Sequence, residues 1–197
     1  MIVGLTGGTG TGKTSISKIF EKSGYKVINY DLVTRQIYSK GSRCLNEVVE
    51  TFGKEILTSD GELDRRKLGE IVFSDKNSLD RLNKIVYKYI LSLTAGEIEK
   101  SKNKKLLLDA PTLFESGLDK SCDVIVGVVA KKELRLNRVA MRDGLLPERV
   151  QERINSQKPD EFYFSNCDYV IENNGSYDEL AAKVEQILSA IDHKSDF

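Results

Sequence analysis

The 197-residue sequence has no tryptophan, only three prolines and one histidine, and no excess of either charge. Its 30 Lys and Arg residues balance 30 Asp and Glu residues, so the formal net charge is zero. A zero net charge argues against a general nucleic-acid or anionic-membrane binder, which would carry a basic excess. It does not exclude a local anion-binding site. Apolar residues make up 40% of the chain, which with zero net charge excludes an intrinsically disordered protein.

Cysteines and long apolar runs are also scarce. Cys44, Cys122 and Cys167 are odd in number, widely spaced and without a C-x-x-C pair. This pattern favours reduced thiols in a cytosolic protein over a disulfide framework or a zinc site. The N terminus lacks the features of a signal peptide, and no run approaches the ~18 consecutive apolar residues of a membrane span. We therefore expect a soluble, cytoplasmic protein.

The chain does have a glycine-rich loop near its start. The segment GGTGTGKT, residues 7–14, matches G-x-x-x-x-G-K-[ST] and lies between a predicted strand and a predicted helix. Such a loop folds tightly, so that backbone N–H groups and the N terminus of the following helix point at phosphate oxygens. We expect Lys13 to reach the β- and γ-phosphates and the Thr14 hydroxyl to ligate Mg²⁺. The residues predicted to bind ATP at this loop are Gly8, Thr9, Gly10, Thr11, Gly12, Lys13 and Thr14.

Five short apolar runs, separated by helical patterns, predict an α/β fold with a parallel five-stranded sheet. The predicted strands are Ile2–Thr6, Tyr25–Asn29, Lys105–Asp109, Asp123–Ala130 and Asp168–Glu172. Residues 31–103 have an almost wholly helical pattern, including an apolar stripe of Leu68, Ile71, Val72 and Phe73, and so predict a helical insertion. We expect residues 1–197 to form a single P-loop protein, in which 1–30, 104–130 and 168–197 make up the core and 131–160 form a lid.

Two acidic residues follow predicted strands. Asp31 comes directly after the second strand, so we expect its carboxylate at the carboxyl end of the sheet, facing the phosphate loop. There it could accept a proton from an attacking hydroxyl or hold Mg²⁺, or it could simply cap the next helix. Asp109 ends the third strand and resembles an acid that holds Mg²⁺ through water; the alternative is an ordinary turn residue.

Arginines recur at helical spacing in the predicted lid. Arg135, Arg138 and Arg142 share one helix face, and Arg149 and Arg153 repeat the spacing on the next helix. Most exposed charges of this kind form a solvated face. Phosphoryl transfer, however, develops charge that guanidinium groups stabilise, so an Arg-rich helix pair is also typical of a lid that closes over ATP and excludes water.

Taken together, these motifs resemble the dephospho-coenzyme A kinase family nearly from end to end. The resemblance rests on the order and spacing of its segments: 4–14 (GLTGGTGTGKT), Asp31 with Arg35, 64–68 (DRRKL), 111–115 (PTLFE), 142–145 (RDGL), 156–157 (SQ) and 168–175 (DYVIENNG). Two positions depart from the family pattern. Asn29 stands where a second acid is usual, and Tyr87-Lys88 stands where the family tends to have His-Pro.

The resemblance implies a P-loop fold like that of nucleoside monophosphate kinases, and transfer of the ATP γ-phosphoryl group to the ribose 3′-hydroxyl of dephospho-coenzyme A. It implies that Asp31, Lys13, Arg138 and Arg142 are catalytic, with Thr14 and Asp109 at Mg²⁺. The other implied contacts are Asn174 and Gly175 with ATP, and Arg35, Arg65, Leu113, Phe114 and Glu115 with the acceptor. The implied partners are ATP and dephospho-coenzyme A, without nucleic acid or membrane, for a monomer or weak homo-oligomer.

Two alternative functions stay open from the sequence. One is another small-metabolite or nucleoside kinase of the same fold, and the other is a nucleotide-binding protein without transferase activity. A GTPase is disfavoured, because the nearest match to its N-K-x-D motif is 83–86 (NKIV), which lacks the Asp. We also expect the balanced net charge to conceal a basic cleft for polyphosphate that is offset by acids elsewhere.

Overall fold

The computed structural model describes residues 1–101, 104–144 and 146–194, which form five strands, nine α-helices and two short 3₁₀ helices. The strands are β1 (Ile2–Gly7), β2 (Lys26–Asn29), β3 (Leu106–Asp109), β4 (Val124–Val129) and β5 (Tyr169–Glu172). The helices are α1 (Lys13–Lys22), α2 (Tyr30–Ile37), α3 (Arg43–Phe52), α4 (Arg65–Ser74), α5 (Lys76–Lys100), α6 (Lys132–Asp143), α7 (Pro147–Asn155), α8 (Asp160–Asn166) and α9 (Tyr177–Lys194). By its contacts the chain divides into a first unit, Met1–Ile28 with Asn103–Phe197, and a second unit, Asn29–Lys102.

The first unit is built on the sheet, whose strand order is β2-β3-β1-β4-β5. The register pairs Gly4 of β1 with Leu108 of β3 and Ile125 of β4, and Val128 of β4 with Ile171 of β5, all in parallel. The predicted parallel α/β fold is confirmed. The first and last residues of each predicted strand differ by at most one position from those of an observed strand. Because parallel strands end at the same edge, the loops that follow β1, β3, β4 and β5 meet there.

The core of the first unit lies between the sheet and helices α1 and α9. Its side chains come mainly from β1, β4 and the inner faces of these two helices; the largest that are almost fully buried include Phe20, Leu5, Ile16, Leu107, Ile171 and Ile191. Burying an aliphatic or aromatic side chain of this size contributes roughly 1.5–3 kcal/mol. This packing anchors α1, and therefore the phosphate loop in front of it, to the sheet.

The second unit is mainly helical, and side-chain caps begin its helices. Asn29, Ser42, Asp64 and Asp75 accept hydrogen bonds from the first turns of α2, α3, α4 and α5 respectively. The apolar stripe predicted in α4 is only partly buried. Leu68 and Val72 are buried, but Phe73 is 80% exposed because it follows Val72 by one residue and so points about 100° away from it.

The predicted lid contains the helix pair α6 and α7. Pro147 opens α7 at its first position, and Val139, Val150 and Ile154 form a small apolar cluster between the two helices. Of the family-like segment 142–145, Leu145 lies outside the described residues. Helix α8 was not predicted from the sequence. It has only seven residues, too few for an apolar repeat to be recognised.

Candidate active site

The phosphate loop joins β1 to α1, and Gly12 occupies the N-cap position of that helix. Its φ of +98° is in the region that L side chains rarely adopt, and a Cβ atom there would overlap the side-chain amide of Asn173. Glycine is therefore required here both by backbone conformation and by space. Lys13 and Thr14 follow in the first turn of α1, where helical N–H groups and the helix dipole favour an anion.

Side chains bind the backbone carbonyls of the loop one after another. Lys13 donates to the Gly7 carbonyl at 2.7 Å, and the Thr11 hydroxyl donates to the Gly8 carbonyl at 2.8 Å. The next three carbonyl contacts come from outside the loop: Arg135 Nε to Thr9 (3.0 Å), Arg138 Nη1 to Gly10 (3.4 Å) and Asn173 Nδ2 to Thr11 (2.8 Å). Thus α6 and the end of β5 hold the conformation of the loop.

The arginines of α6 differ in their surroundings. Arg135 is only 6% exposed, whereas Arg138 is half-buried and Arg142 is exposed. Arg138 also donates to the Asn173 carbonyl at 3.1 Å, so it lies between the phosphate loop and the end of β5. Arg142 donates to Asp143 at 2.6 and 2.8 Å. The guanidinium groups of Arg142 and Arg153 hold the pKa of Asp143 below its ordinary value.

Arg135 and Asn173 were not singled out from the sequence as site residues. Helical spacing grouped Arg135 with Arg138 and Arg142 but gave no indication of which would be buried against the loop. Asn173 lies beside the predicted Asn174, which itself accepts a hydrogen bond from the Lys131 N–H at 2.8 Å. Gly175 follows in the exposed turn after β5.

The carboxylate of Asp109 lies at the end of β3 and is 6% exposed. Ser17, on the second turn of α1, donates to Asp109 Oδ2 at 2.7 Å. Ser17 follows Thr14 by three residues and therefore shares its helix face. This hydrogen bond links the end of β3 to the face of α1 that carries the Thr14 hydroxyl.

The loop after β3 carries the predicted acceptor residues Leu113, Phe114 and Glu115. Leu113 is fully buried beneath β1, where a Cβ atom on Gly4 would lie 2.9 Å from its Cδ2. Phe114 is half-buried and packs edge-to-face on Phe162 of α8, with ring centroids 5.1 Å apart. Glu115 is exposed. Leu113 thus anchors the loop, while the two residues after it are accessible.

Asp31 and Arg35 lie in α2, within the second unit, and both are exposed. The N-cap alternative for Asp31 was wrong, because Asn29 caps α2 through a 3.1 Å hydrogen bond from the Leu32 N–H. The carboxylate of Asp31 is therefore not needed as the cap of this helix. In the same unit the Arg65 guanidinium lies over the Tyr38 ring, 5.4 Å from its centroid. Burial raises the pKa of Tyr38, and the charge of Arg65 opposes this.

A parallel α/β sheet whose first strand leads into a G-x-x-x-x-G-K-T loop, with arginines from a later helix against that loop, defines a P-loop kinase. Residues 1–179 match the family model for dephospho-CoA kinase. The dephospho-CoA kinase of Fusobacterium nucleatum is 40% identical over 191 residues, covering 97% of this chain and 98% of that protein. The chain belongs to the dephospho-CoA kinase family and is an ATP-dependent phosphotransferase of coenzyme A biosynthesis.

Two further comparisons agree with this assignment. The Arabidopsis thaliana dephospho-CoA kinase is 43% identical over 193 residues, covering 96% of this chain and 83% of that protein. The structure of the Campylobacter jejuni dephospho-CoA kinase superposes with a TM-score of 0.70 at 26% identity, covering 98% of both chains. Within the described residues, no helix combines the length and the apolar character needed to cross a membrane.

Proposed function

We propose that this enzyme transfers the γ-phosphoryl group of ATP to the ribose 3′-hydroxyl of dephospho-coenzyme A, giving coenzyme A and ADP. The acceptor in this proposal is supported by membership of the dephospho-CoA kinase family. The observation that carries the ATP half is the phosphate loop, four of whose carbonyls are bound by the side chains of Lys13, Arg135, Arg138 and Asn173. A loop held in this way is preorganised for the triphosphate. Preorganised donors cost no rearrangement when charge develops on the transferred group.

In the proposed reaction, Gly8–Thr14 hold the triphosphate and Lys13 neutralises charge on its β- and γ-phosphates. Asp31 orients the 3′-hydroxyl and accepts its proton as the oxygen attacks the γ-phosphorus, while the bond to the β–γ bridging oxygen breaks and ADP leaves. The exposure of Asp31 supports this role, because the carboxylate is accessible to a hydroxyl group of a bound substrate.

Arg138 and Arg142 are proposed to stabilise the migrating phosphoryl group. Support for Arg138 comes from its two backbone contacts, at Gly10 and Asn173, which fix the guanidinium beside the phosphate loop. Arg142 would exchange its exposed carboxylate partner for the nucleotide. Asn174 and Gly175 are proposed to lie near the adenine, because they belong to the turn that follows β5 at the same edge of the sheet as the phosphate loop.

Mg²⁺ is the proposed cofactor, and the chemistry of the donor set fits it. The Thr14 hydroxyl and the Asp109 carboxylate are hard oxygen donors, and the Ser17 hydrogen bond links the two elements that carry them. Thr14 would bind the ion directly and Asp109 through water, with the nucleotide phosphates completing the site. When bound, Mg²⁺ would neutralise charge on the β- and γ-phosphate oxygens.

The acceptor is proposed to bind to the helical insertion, 31–103, with residues 131–160 acting as the lid. Arg35 and Arg65 are both exposed and can pair with the pyrophosphate of dephospho-coenzyme A. Phe114 and Glu115, in the loop after β3, are also proposed to contact the acceptor, and Leu113 is proposed to hold that loop from beneath. A closed lid would exclude water and prevent wasteful hydrolysis of ATP.

An acceptor screen tests the proposed function. Purified protein is mixed with ATP and Mg²⁺, and ADP release is followed with dephospho-coenzyme A, with shikimate, with nucleosides and with no acceptor. We expect ADP release that depends on dephospho-coenzyme A, with one coenzyme A formed per ADP. Release that is equal with and without dephospho-coenzyme A, or faster with another acceptor, would contradict the proposal.

The Asp31→Asn variant tests the proposed base. We expect turnover to fall by at least ~10²-fold, since general acid–base catalysis contributes this much or more, while ATP binding is largely kept. The matched control is Asp60→Asn, an exposed aspartate of the same unit in a surface turn. Near-normal turnover in Asp31→Asn would remove Asp31 from this role.

We also propose a cytoplasmic location and a monomer or weak homo-oligomer. Burial raises the pKa of the Cys44 thiol to about 11 and those of Cys122 and Cys167 to about 12, which supports unreactive, reduced thiols. Light scattering during size-exclusion chromatography, at two protein concentrations, measures the oligomeric state. A concentration-independent dimer or larger assembly would overturn that part of the proposal.

A further inference from the structure

The tripeptide Gly8-Thr9-Gly10 is a part of the phosphate loop whose own sequence constrains its backbone little. Two glycines flank one residue, so the Thr9 peptide groups can rotate more freely than those of an ordinary loop. Both polar backbone groups of Thr9 are nevertheless bound by side chains. Gln157 Oε1 accepts from the Thr9 N–H at 2.8 Å, and Arg135 Nε donates to the Thr9 carbonyl at 3.0 Å.

A third hydrogen bond joins these two side chains. Arg135 Nη2 donates to the same Gln157 oxygen at 3.1 Å, so the three bonds close a ring around Thr9. Gly8 is part of the fit, because a Cβ atom there would overlap Arg135 Nη2 and lie 3.0 Å from Gln157 Oε1. A rotation of the Thr9 backbone would break its hydrogen bonds to both Gln157 and Arg135, which are themselves hydrogen-bonded to each other.

The environment of Arg135 is unusual for an arginine on a lid helix. Its side chain is 7% exposed, and Oδ1 of Asp160, the first residue of α8, lies 3.6 Å from Nη1. Burial raises the pKa of Asp160, and the charge of Arg135 opposes part of that rise. Burying a cation is costly unless hydrogen bonds and an opposite charge compensate for the lost water, and Arg135 obtains these from Thr9, Gln157 and Asp160.

The two side chains of the ring come from either end of the lid. Arg135 is on the first turn of α6, and Gln157 follows the end of α7. Val139, Val150 and Ile154 pack these helices together, so a movement of the pair would reach Thr9 through both side chains. We propose that Arg135 is a positioning residue for phosphoryl transfer, which with Gln157 fixes the Thr9 peptide and couples the lid helices to the phosphate loop.

This inference rests on the proposed kinase function and adds a residue that acts through the loop instead of touching the reacting atoms. Two substitution pairs test it. Arg135→Met removes both bonds, and Arg135→Lys keeps the charge without the guanidinium fork that makes two divergent bonds. Gln157→Met removes the shared acceptor, whereas Gln157→Glu keeps an oxygen that can accept from both Thr9 and Arg135.

We expect Arg135→Met and Gln157→Met each to lower kcat/KM for ATP by about 10- to 100-fold, the range expected for a lost hydrogen bond to a charged group. Their KM for dephospho-coenzyme A should stay within about twofold. Gln157→Glu should retain most activity and Arg135→Lys should restore little. The double Met variant should be little worse than either single variant, because the ring acts as a unit.

The matched control is Arg149→Met, another lid arginine, which is exposed and pairs with Glu152 on its own helix. It should keep kcat/KM for ATP within about twofold. A merely structural role for Arg135 would lower the thermal midpoint and the active fraction, leave KM for ATP unchanged, and make Gln157→Glu no better than Gln157→Met. That pattern, or additive effects in the double variant, would overturn the inference. The Gln157 pair keeps the test decisive if Arg135→Met does not fold.

Titration with a non-hydrolysable ATP analogue separates the two proposals. Loss of the ring should weaken binding of the analogue by Arg135→Met relative to Arg149→Met, with no acceptor present. If the wild-type enzyme showed no ADP release with dephospho-coenzyme A, the proposed function would fail while this titration still tested the ring. Equal binding by Arg135→Met, Gln157→Met and wild type would count against the ring itself.

Discussion

Gly12→Ala separates two contributions to the phosphate loop that the structure allows us to estimate. The new alanine would have to adopt a φ of +98°, which costs roughly 1–2 kcal/mol for an L residue. It would also displace the buried Asn173 amide from its 2.8 Å hydrogen bond to the Thr11 carbonyl, a loss of about 1 kcal/mol. Without nucleotide, we therefore expect the free energy of unfolding to fall by about 2–3 kcal/mol in urea denaturation.

Gly24→Ala provides the matched control for this prediction. Gly24 has a φ of +88°, and among the described residues other than its own chain neighbours no heavy atom lies within 4 Å of the position its Cβ would take. It should incur only the backbone cost, so Gly12→Ala should be worse by about 1 kcal/mol. In an Asn173→Ala background that difference should disappear, since the clash is gone. Equal losses for Gly12→Ala and Gly24→Ala in the wild-type background would refute the steric part of the reasoning.

Two further predictions concern stability. Asp75 caps α5, and hydrogen bonds from the hydroxyl and the N–H of Ser78 hold the pKa of its carboxyl group below the ordinary value. The contribution of the ionised Asp75 to the free energy of unfolding is therefore full above about pH 4 and is lost as the pH falls through the folded-state pKa. Urea midpoints measured across this range should show Asp75→Ala destabilised at neutral pH and Asp75→Asn less so, with both less acid-sensitive than wild type; an unchanged acid dependence in both would contradict the assignment. Burial raises the pKa of Tyr25 to about 12, and its buried hydroxyl has no hydrogen-bond partner among the described residues. Tyr25→Phe should therefore leave the free energy of unfolding unchanged or raise it. A clear decrease would show that the hydroxyl is hydrogen-bonded.

The fold and the phosphate loop could be predicted because their signals are local. Each strand is a short apolar run, as Val3 to Leu5 and Leu106 to Leu108 illustrate, and the loop is a contiguous motif between a strand and a helix. Both kinds of pattern follow directly from which residues are buried next to which.

The remaining features depend on contacts between distant parts of the chain. Arg135 and Thr9 are 126 residues apart, and nothing in helical spacing distinguishes Arg135 from the exposed Arg142. The cap of α2 was missed for another reason. Asn29 and Asp31 are both suitable caps by residue type, and only the point where β2 ends decides that Asn29 takes the position.

The balanced net charge acquires a physical meaning from what the cations near the loop contact. Arg138 donates to two carbonyl oxygens, Gly10 and Asn173, and has no carboxylate within ion-pair distance among the described residues. Carbonyl dipoles orient a guanidinium but carry no net charge, so its positive charge remains available to a phosphate. Arg142 instead pairs with Asp143 at the surface, where an ion pair contributes little and an incoming polyphosphate can replace it. Arg138 therefore provides a fixed positive charge beside the loop, whereas Arg142 can provide one only after its partner is displaced.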